Sequence, residues 1–269
     1  MNDSNTYQAV RIGDTADWRL ICCISEYGMS AYLKNVNPTE EVMTLFESKW
    51  EKSEATLLQN IENAVFDHPQ VLDDFTADIT IIAPKAVWVP ATNVEFDDEK
   101  AAAYYNQVYS ARSADIMAET VDGATCLFCL TPGLKPLLQR TFAGARVHSH
   151  LAVLVRRLAE RSADMPRIYV DIRDHEADIV AFDTKSLLMA ATHPWNKPEE
   201  LQDKIFNIIE VYGIDPDEVQ LSLSGLREEK NLLMPLLRKN IKYVMLTMLT
   251  SVGAKTGMPS PAALLLRNS

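Results

Sequence analysis

Four carboxylates, Asp171, Asp174, Glu176 and Asp178, fall within eight residues. Hard oxygen ligands of this kind can hold Mg²⁺, with Asp171 as the metal-facing group. The same density suits a charged, solvent-facing turn between two strands, and that plainer role is the one expected. Two-metal chemistry on a phosphodiester would need a second set of carboxylates facing the first. Glu26 is the one acid at the earlier turn that could supply it. Cys126-Leu-Phe-Cys129 has the spacing of redox and zinc sites. Within a strand, however, positions three apart point to opposite faces, and no second cysteine pair stands at zinc-ribbon spacing. Both thiols are therefore expected in the core. His148-Ser-His150 would present two imidazoles if extended, but no third ligand follows at a useful spacing. Ser224-Gly225 closes a strand, where the hydroxyl could donate to a ligand or serve a tight turn. The spacing supports no Ser-His-Asp arrangement.

The elements that must position these residues are legible. In 269 residues, 47% are apolar, enough for a sizeable core, and 23% are charged, as in an ordinary globular chain. The net charge of -11 argues against nucleic-acid binding, which needs a surplus of Lys and Arg. The start of the chain, residues 1–17, is polar and lacks the pattern of a signal peptide. No apolar run approaches the ~20 residues of a membrane span. With cysteines confined to apolar runs, these features predict a cytoplasmic protein.

Trp18 to Ser25 and Met29 to Leu33 read as a β-hairpin around Glu26-Tyr-Gly28, with Gly28 free to take positive φ. Glu41 to Phe46 supplies a third strand. Leu57, Leu58, Ile61 and Val65 give helical spacing over Glu51 to Phe66, and Asp78 to Ala83 is a strand. Asp97, Asp98 and Glu99 open a helix reaching Tyr109, and Ala124 to Leu130 is a buried strand. Short helices follow at Leu134 to Phe142 and Ser149 to Arg161. Strands at Pro166 to Ile172, His175 to Phe182 and Ser186 to Thr192 then precede a helix starting at Pro198 and ending at Gly213. Val219 to Leu223 is another strand. Leu232 to Leu237 is a helix shortened or kinked by Pro235, and Ile241 to Leu249 is the last apolar segment.

The order repeats. Trp18–Ser25 corresponds to Pro166–Arg173, the hairpin return Met29–Leu33 to Ile179–Ala181, Glu51–Phe66 to Pro198–Tyr212, and Asp78–Ala83 to Val219–Ser224. Two similar lobes follow, each a mixed sheet with helices packed on it. The expected boundaries are a polar tail at 1–17, lobes at 18–147 and 148–250, and a mobile tail at 251–269.

This order resembles the actin-like ATPases of the ribonuclease H-like group. Ile79-Thr-Ile-Ile-Ala-Pro with Trp88-Val-Pro90, the acidic helix start Asp97 to Lys100, and Val219-Gln-Leu-Ser-Leu-Ser-Gly225 resemble a Bacteroidetes family of unknown function, domain-of-unknown-function family 3822. The resemblance covers roughly Arg19 to Met245. It implies an actin-like fold and carries no assigned activity. The first phosphate loop of actin-like ATPases, Asp-x-Gly-(Ser/Thr), falls on Ser25-Glu-Tyr-Gly-Met29, which keeps Gly28 and lacks the aspartate. The second falls on Asp171-Ile-Arg-Asp-His175, which keeps Asp171 and carries Arg173 where phosphate needs close backbone approach. The adenosine motif matches Ser224-Gly225 in part. By the same resemblance, His150 serves packing or lobe contact. The expectation is a non-catalytic or weakly nucleotide-binding protein acting through a protein partner. Gly28, Asp171, Arg173, Ser224 and Gly225 line its cleft, with no cofactor and no assigned metal. The alternative is an ATPase using ATP and Mg²⁺ oriented by Asp171.

Overall fold

A computed structural model describes residues 14–36, 42–51, 55–83, 85–90, 95–110, 115–121, 123–160, 164–184, 186–247 and 260–265. The first unit runs β1 (Trp18–Ser25), β2 (Gly28–Asn35), β3 (Val42–Lys49), α1 (Leu57–Asp67) and β4 (Thr76–Ile81). An insertion follows, made of β5 (Ala86–Pro90), α2 (Asp98–Tyr109), β6 (Ile116–Val121) and β7 (Ala124–Cys129). The unit closes with α3 (Leu134–Thr141) and β8 (Arg146–Ser149), and α4 (His150–Ala159) leads out of it. The second unit runs β9 (Arg167–Ile172), β10 (Glu176–Phe182), β11 (Leu187–Pro194), α5 (Pro198–Val211), β12 (Gln220–Gly225), α6 (Arg227–Leu237) and β13 (Tyr243–Leu246). A final helix, α7, spans Ser260–Leu265.

The two main sheets have the same strand order, β3-β2-β1-β4-β8 and β11-β10-β9-β12-β13. In each, an antiparallel meander is extended by parallel strands. β1 and β9 are central and buried on both faces, which is why each reads as an almost unbroken apolar run. The repeat expected from the sequence is therefore the architecture of the chain.

The insertion forms a third sheet, β5-β7-β6, with Ala101 and Tyr105 of α2 packed on Ile116 and Leu127. Asp97 caps α2 by accepting from the Lys100 N–H at 2.8 Å, as its acids foretold. β6 is absent from the sequence reading. Asp122-Gly123 between two β-prone runs was its signal, and Gly123 has a φ of +77°. α1 begins at Leu57 rather than Glu51 because Thr56 and Gln59 form a reciprocal capping box. Part of the longer expectation, 52–54, lies outside the described residues.

Two boundaries move. β8 pairs with β4, so the first sheet extends to Ser149. α4 then lies between the sheets: Ala152, Val153, Leu154, Val155 and Leu158 share one core with β1 and β4 and with Tyr169, Val180, Phe182 and Ala190 of the second sheet. The tail expected to be mobile contains α7, whose Pro261, Ala262, Ala263 and Leu264 are buried. Ala262 and Ala263 cover Ile21, Cys23 and Tyr32. Six small or apolar residues gave little local signal, and packing holds them. Among the described residues, no helix is long and apolar enough to cross a membrane.

Candidate functional site

The tips of the β1–β2 and β9–β10 hairpins meet. Tyr27 and His175 occupy the same position in the two turns, and their rings lie 5.1 Å apart. Each tip is pinned by a tryptophan just after the third strand of its own lobe. Trp50 donates from its backbone N–H to Tyr27 O (3.0 Å) and from Nε1 to Glu26 O (2.9 Å). Trp195 donates from its N–H to His175 O (3.2 Å) and from Nε1 to Arg173 O (3.1 Å). These paired tryptophans escaped the sequence reading, although their positions after the third strands were visible.

Strand register fixes which residues correspond across the lobes. Ile24 faces Ile81 in β4, and Ile172 faces Gly225 in β12. One residue earlier, Cys23 is therefore the counterpart of Asp171, and Thr80 that of Ser224. The carboxylate of the second lobe is matched by a thiol in the first, and burial pushes that thiol up to about 12. This register sets Asp78–Ala83 three positions away from the residue-by-residue match to Val219–Ser224.

Asp171 and Asp178 are directly opposed across β9 and β10 and both are buried, at 2% and 0% exposure. The solvated turn expected for the acid cluster holds only for its tip. Two opposed carboxylates repel, and Arg173 answers that repulsion. Its guanidinium donates through Nη1 and Nη2 to the two Asp178 oxygens, the Nη2 bond being 3.0 Å. Glu176 Oε2 lies 3.6 Å from Nη2. Thr192 donates to Asp178 Oδ1 at 2.7 Å. His150 accepts the Ala83 N–H on Nδ1 (3.3 Å), which leaves Nε2 to donate to Asp178 Oδ1 (3.1 Å). His150 thus joins the first lobe to the second, the contact role expected of it. Burial alone would raise the Asp178 carboxyl, but Arg173 and His150 outweigh it and hold it far below the usual range.

Asp171 accepts from Ser224 Oγ at 2.6 Å and from Ser260 Oγ at 2.9 Å. Burial pushes its carboxyl up, against the pull of Arg173. The Ser224 hydroxyl, a candidate ligand donor from the sequence, is committed to Asp171. Gly225 has a φ of +89°, and a Cβ there would stand 2.0 Å from Ile172 O, so close strand approach demands its glycine. Gly28 does not take a left-handed φ. A Cβ there would meet Ser48 O at 2.7 Å, which accounts for the glycine by strand crowding. The structure gathers Asp171, Arg173, Ser224 and Gly225 at one strand end and places Gly28 on the facing hairpin.

The remaining sequence candidates lie elsewhere. Cys126 is buried in the main core beside Ser149 Oγ, and Cys129 is partly exposed on the opposite face, beside α2. His148 donates to Asp78 Oδ1 (3.2 Å) and to Glu119 Oε1 (2.9 Å), tying the third sheet to the first. Among the described residues, no group of three or more His, Cys, Asp or Glu is placed to hold a metal.

Two lobes of one strand order, facing each other at their first hairpins, define a protein of the actin-like ATPase fold. A Bacteroides thetaiotaomicron protein with this fold and unknown function superposes with a TM-score of 0.80 at 18% identity, covering 94% of this chain and 96% of that one. A chain of the PilM–PilN type IV pilus biogenesis complex superposes with a TM-score of 0.58 at 13% identity, covering 94% and 98%. No curated protein matches the sequence. A family model described as protein of unknown function (DUF3822) matches residues 10–244, and the chain belongs to that family.

Proposed function

We propose that this is a non-catalytic, or at most weakly nucleotide-binding, actin-like protein that works by holding a protein partner. The observation that carries this reading is Arg173. A fixed internal cation sits beside Asp178 and Asp171 and its charge also acts on Cys23, at the place where the two hairpins converge. Mg²⁺ with a triphosphate needs open carboxylate oxygens and bare backbone N–H groups there. This chain offers a thiol at Cys23, an Asp171 already bonded to two serines, and an arginine side chain at the loop. These residues do not fit the cofactor of the fold. The fold likeness to a chain of the PilM–PilN complex supports a partner-holding role by analogy.

Thermal unfolding with and without millimolar ATP and Mg²⁺ tests the reading. A nucleotide at 100 times its Kd would add roughly 2.7 kcal/mol and raise Tm by several degrees. The expected result is a shift no larger than that with Mg²⁺ alone, and no ATP hydrolysis above background. Hydrolysis that disappears in Asp171→Ala would establish the ATPase instead.

A further inference from the structure

We propose that α7 is a detachable latch, docked on the first sheet and bonded to the second, whose release uncovers Cys23 and Asp171 while both lobes stay folded. The helix has six residues. Isolated helices shorter than ~12–15 residues do not persist in water, so α7 is helical only while docked. Its anchoring side chains are few and mostly small. Ala262 and Ala263 meet Ile21, Cys23 and Tyr32, and Leu264 joins the core beneath α4. Polar contacts add to this packing, among them Ser260 Oγ to Asp171 Oδ1 at 2.9 Å and Arg157 Nε to Leu264 O at 3.2 Å.

The core of the second lobe contains no α7 residue, and none of the main sheets pairs with it. Elements with the least buried apolar surface open first and without global unfolding. The place that α7 covers is also special. Cys23 and Asp171 are the same position in the two lobes, so one short helix closes over both. Release would free the Ser260 bond to Asp171 and leave Ser224 as its partner. The burial that pushes the Asp171 carboxyl up would then relax.

The full chain, treated with N-ethylmaleimide under native conditions, tests this. Tandem mass spectrometry follows each cysteine and separates Cys22 from Cys23. Cys126, buried in the main core, reports global unfolding, and the partly exposed Cys129 reports reagent activity. A latch makes Cys23 react faster than Cys126 in the wild-type chain. Ser260→Ala should raise the Cys23 rate about five-fold, the factor expected for one hydrogen bond, with Cys126 unchanged. Ala263→Glu, which puts a charge against Tyr32 and Ile21, should raise it further. Equal rates at Cys23 and Cys126, or a Cys23 rate indifferent to Ser260→Ala, would overturn the proposal. If Ala263→Glu does not fold, Ser260→Ala removes a single hydroxyl and still decides.

Discussion

Replacing Arg173 by alanine should expose how the buried carboxylates beside the second hairpin are held. Asp178 is fully buried, opposite the equally buried Asp171, and Arg173 is its bidentate partner with a side chain only 18% exposed. Removing one member of a buried pair commonly takes about 3–5 kcal/mol, because the other charge is left behind. Asp178 keeps Thr192 and His150 as donors, so the low end, about 3 kcal/mol, is expected. In a chain of this size that lowers Tm by roughly 6 °C. The pH dependence sharpens the test. Asp178 titrates well below its ordinary 3.8 when folded, so it contributes stability above that pH and loses it as pH falls. In Arg173→Ala the folded carboxyl rises back, and the variant has less to lose. Urea unfolding at pH 7 and at pH 2.5, below the unfolded carboxyl value, should therefore show a gap between wild type and variant that narrows in acid. A loss under about 1 kcal/mol, as for an exposed pair, or one equal at both pH values, would refute the argument.

His148 offers a test in alkali. Burial lowers its pKa, but its hydrogen bonds to the Asp78 and Glu119 carboxylates outweigh this and raise it to about 9. A raised pKa contributes stability that is complete below pH 6.5 and lost as pH rises through about 9, on the order of 3 kcal/mol in all. His148→Gln should flatten that decline in urea melts between pH 6 and 10. Asp171→Asn keeps an acceptor for Ser224 and Ser260 and removes a carboxyl whose pKa burial raises. It should be more stable than wild type at pH 7, with the gain vanishing as pH falls toward the unfolded carboxyl value. Gly225→Ala should cost more than about 3 kcal/mol, measured by urea midpoint, because its Cβ would overlap Ile172 O. Gly144→Ala, at a φ of +75° in open space, should cost only about 1 kcal/mol.

The lobes were legible because their signals are local. β1 and β9 announce themselves as apolar runs, α5 by Pro198 and its acids, and the repeat by the order of these elements. β8 and β6 were missed, β8 because four residues carry too little periodicity to register. α1 was drawn too long because Glu51 to Ala55 contains no helix breaker and the capping box of Thr56 and Gln59, which starts the helix, went unread. α7 lay in a stretch whose composition reads as a tail, and its helix depends on Ile21 and Tyr32, more than 200 residues away in sequence.

The sequence by itself determined the class: two β-rich repeats of one strand order, in a family with the actin-like fold. It also named Asp171, Arg173, Ser224 and Gly225, which do lie together. What only tertiary structure decided is what those residues do. Asp171 and Asp178 read as solvated acids because Arg173 is the one cation close in sequence, and the other groups that satisfy them come from distant elements. Their partners, Arg173 turning back from the hairpin, Thr192, His150, Ser224 and Ser260, include groups up to 89 residues away. Burial of a charge is decided by the donors that converge on it. That convergence is set by strand register and helix docking, which local composition does not encode.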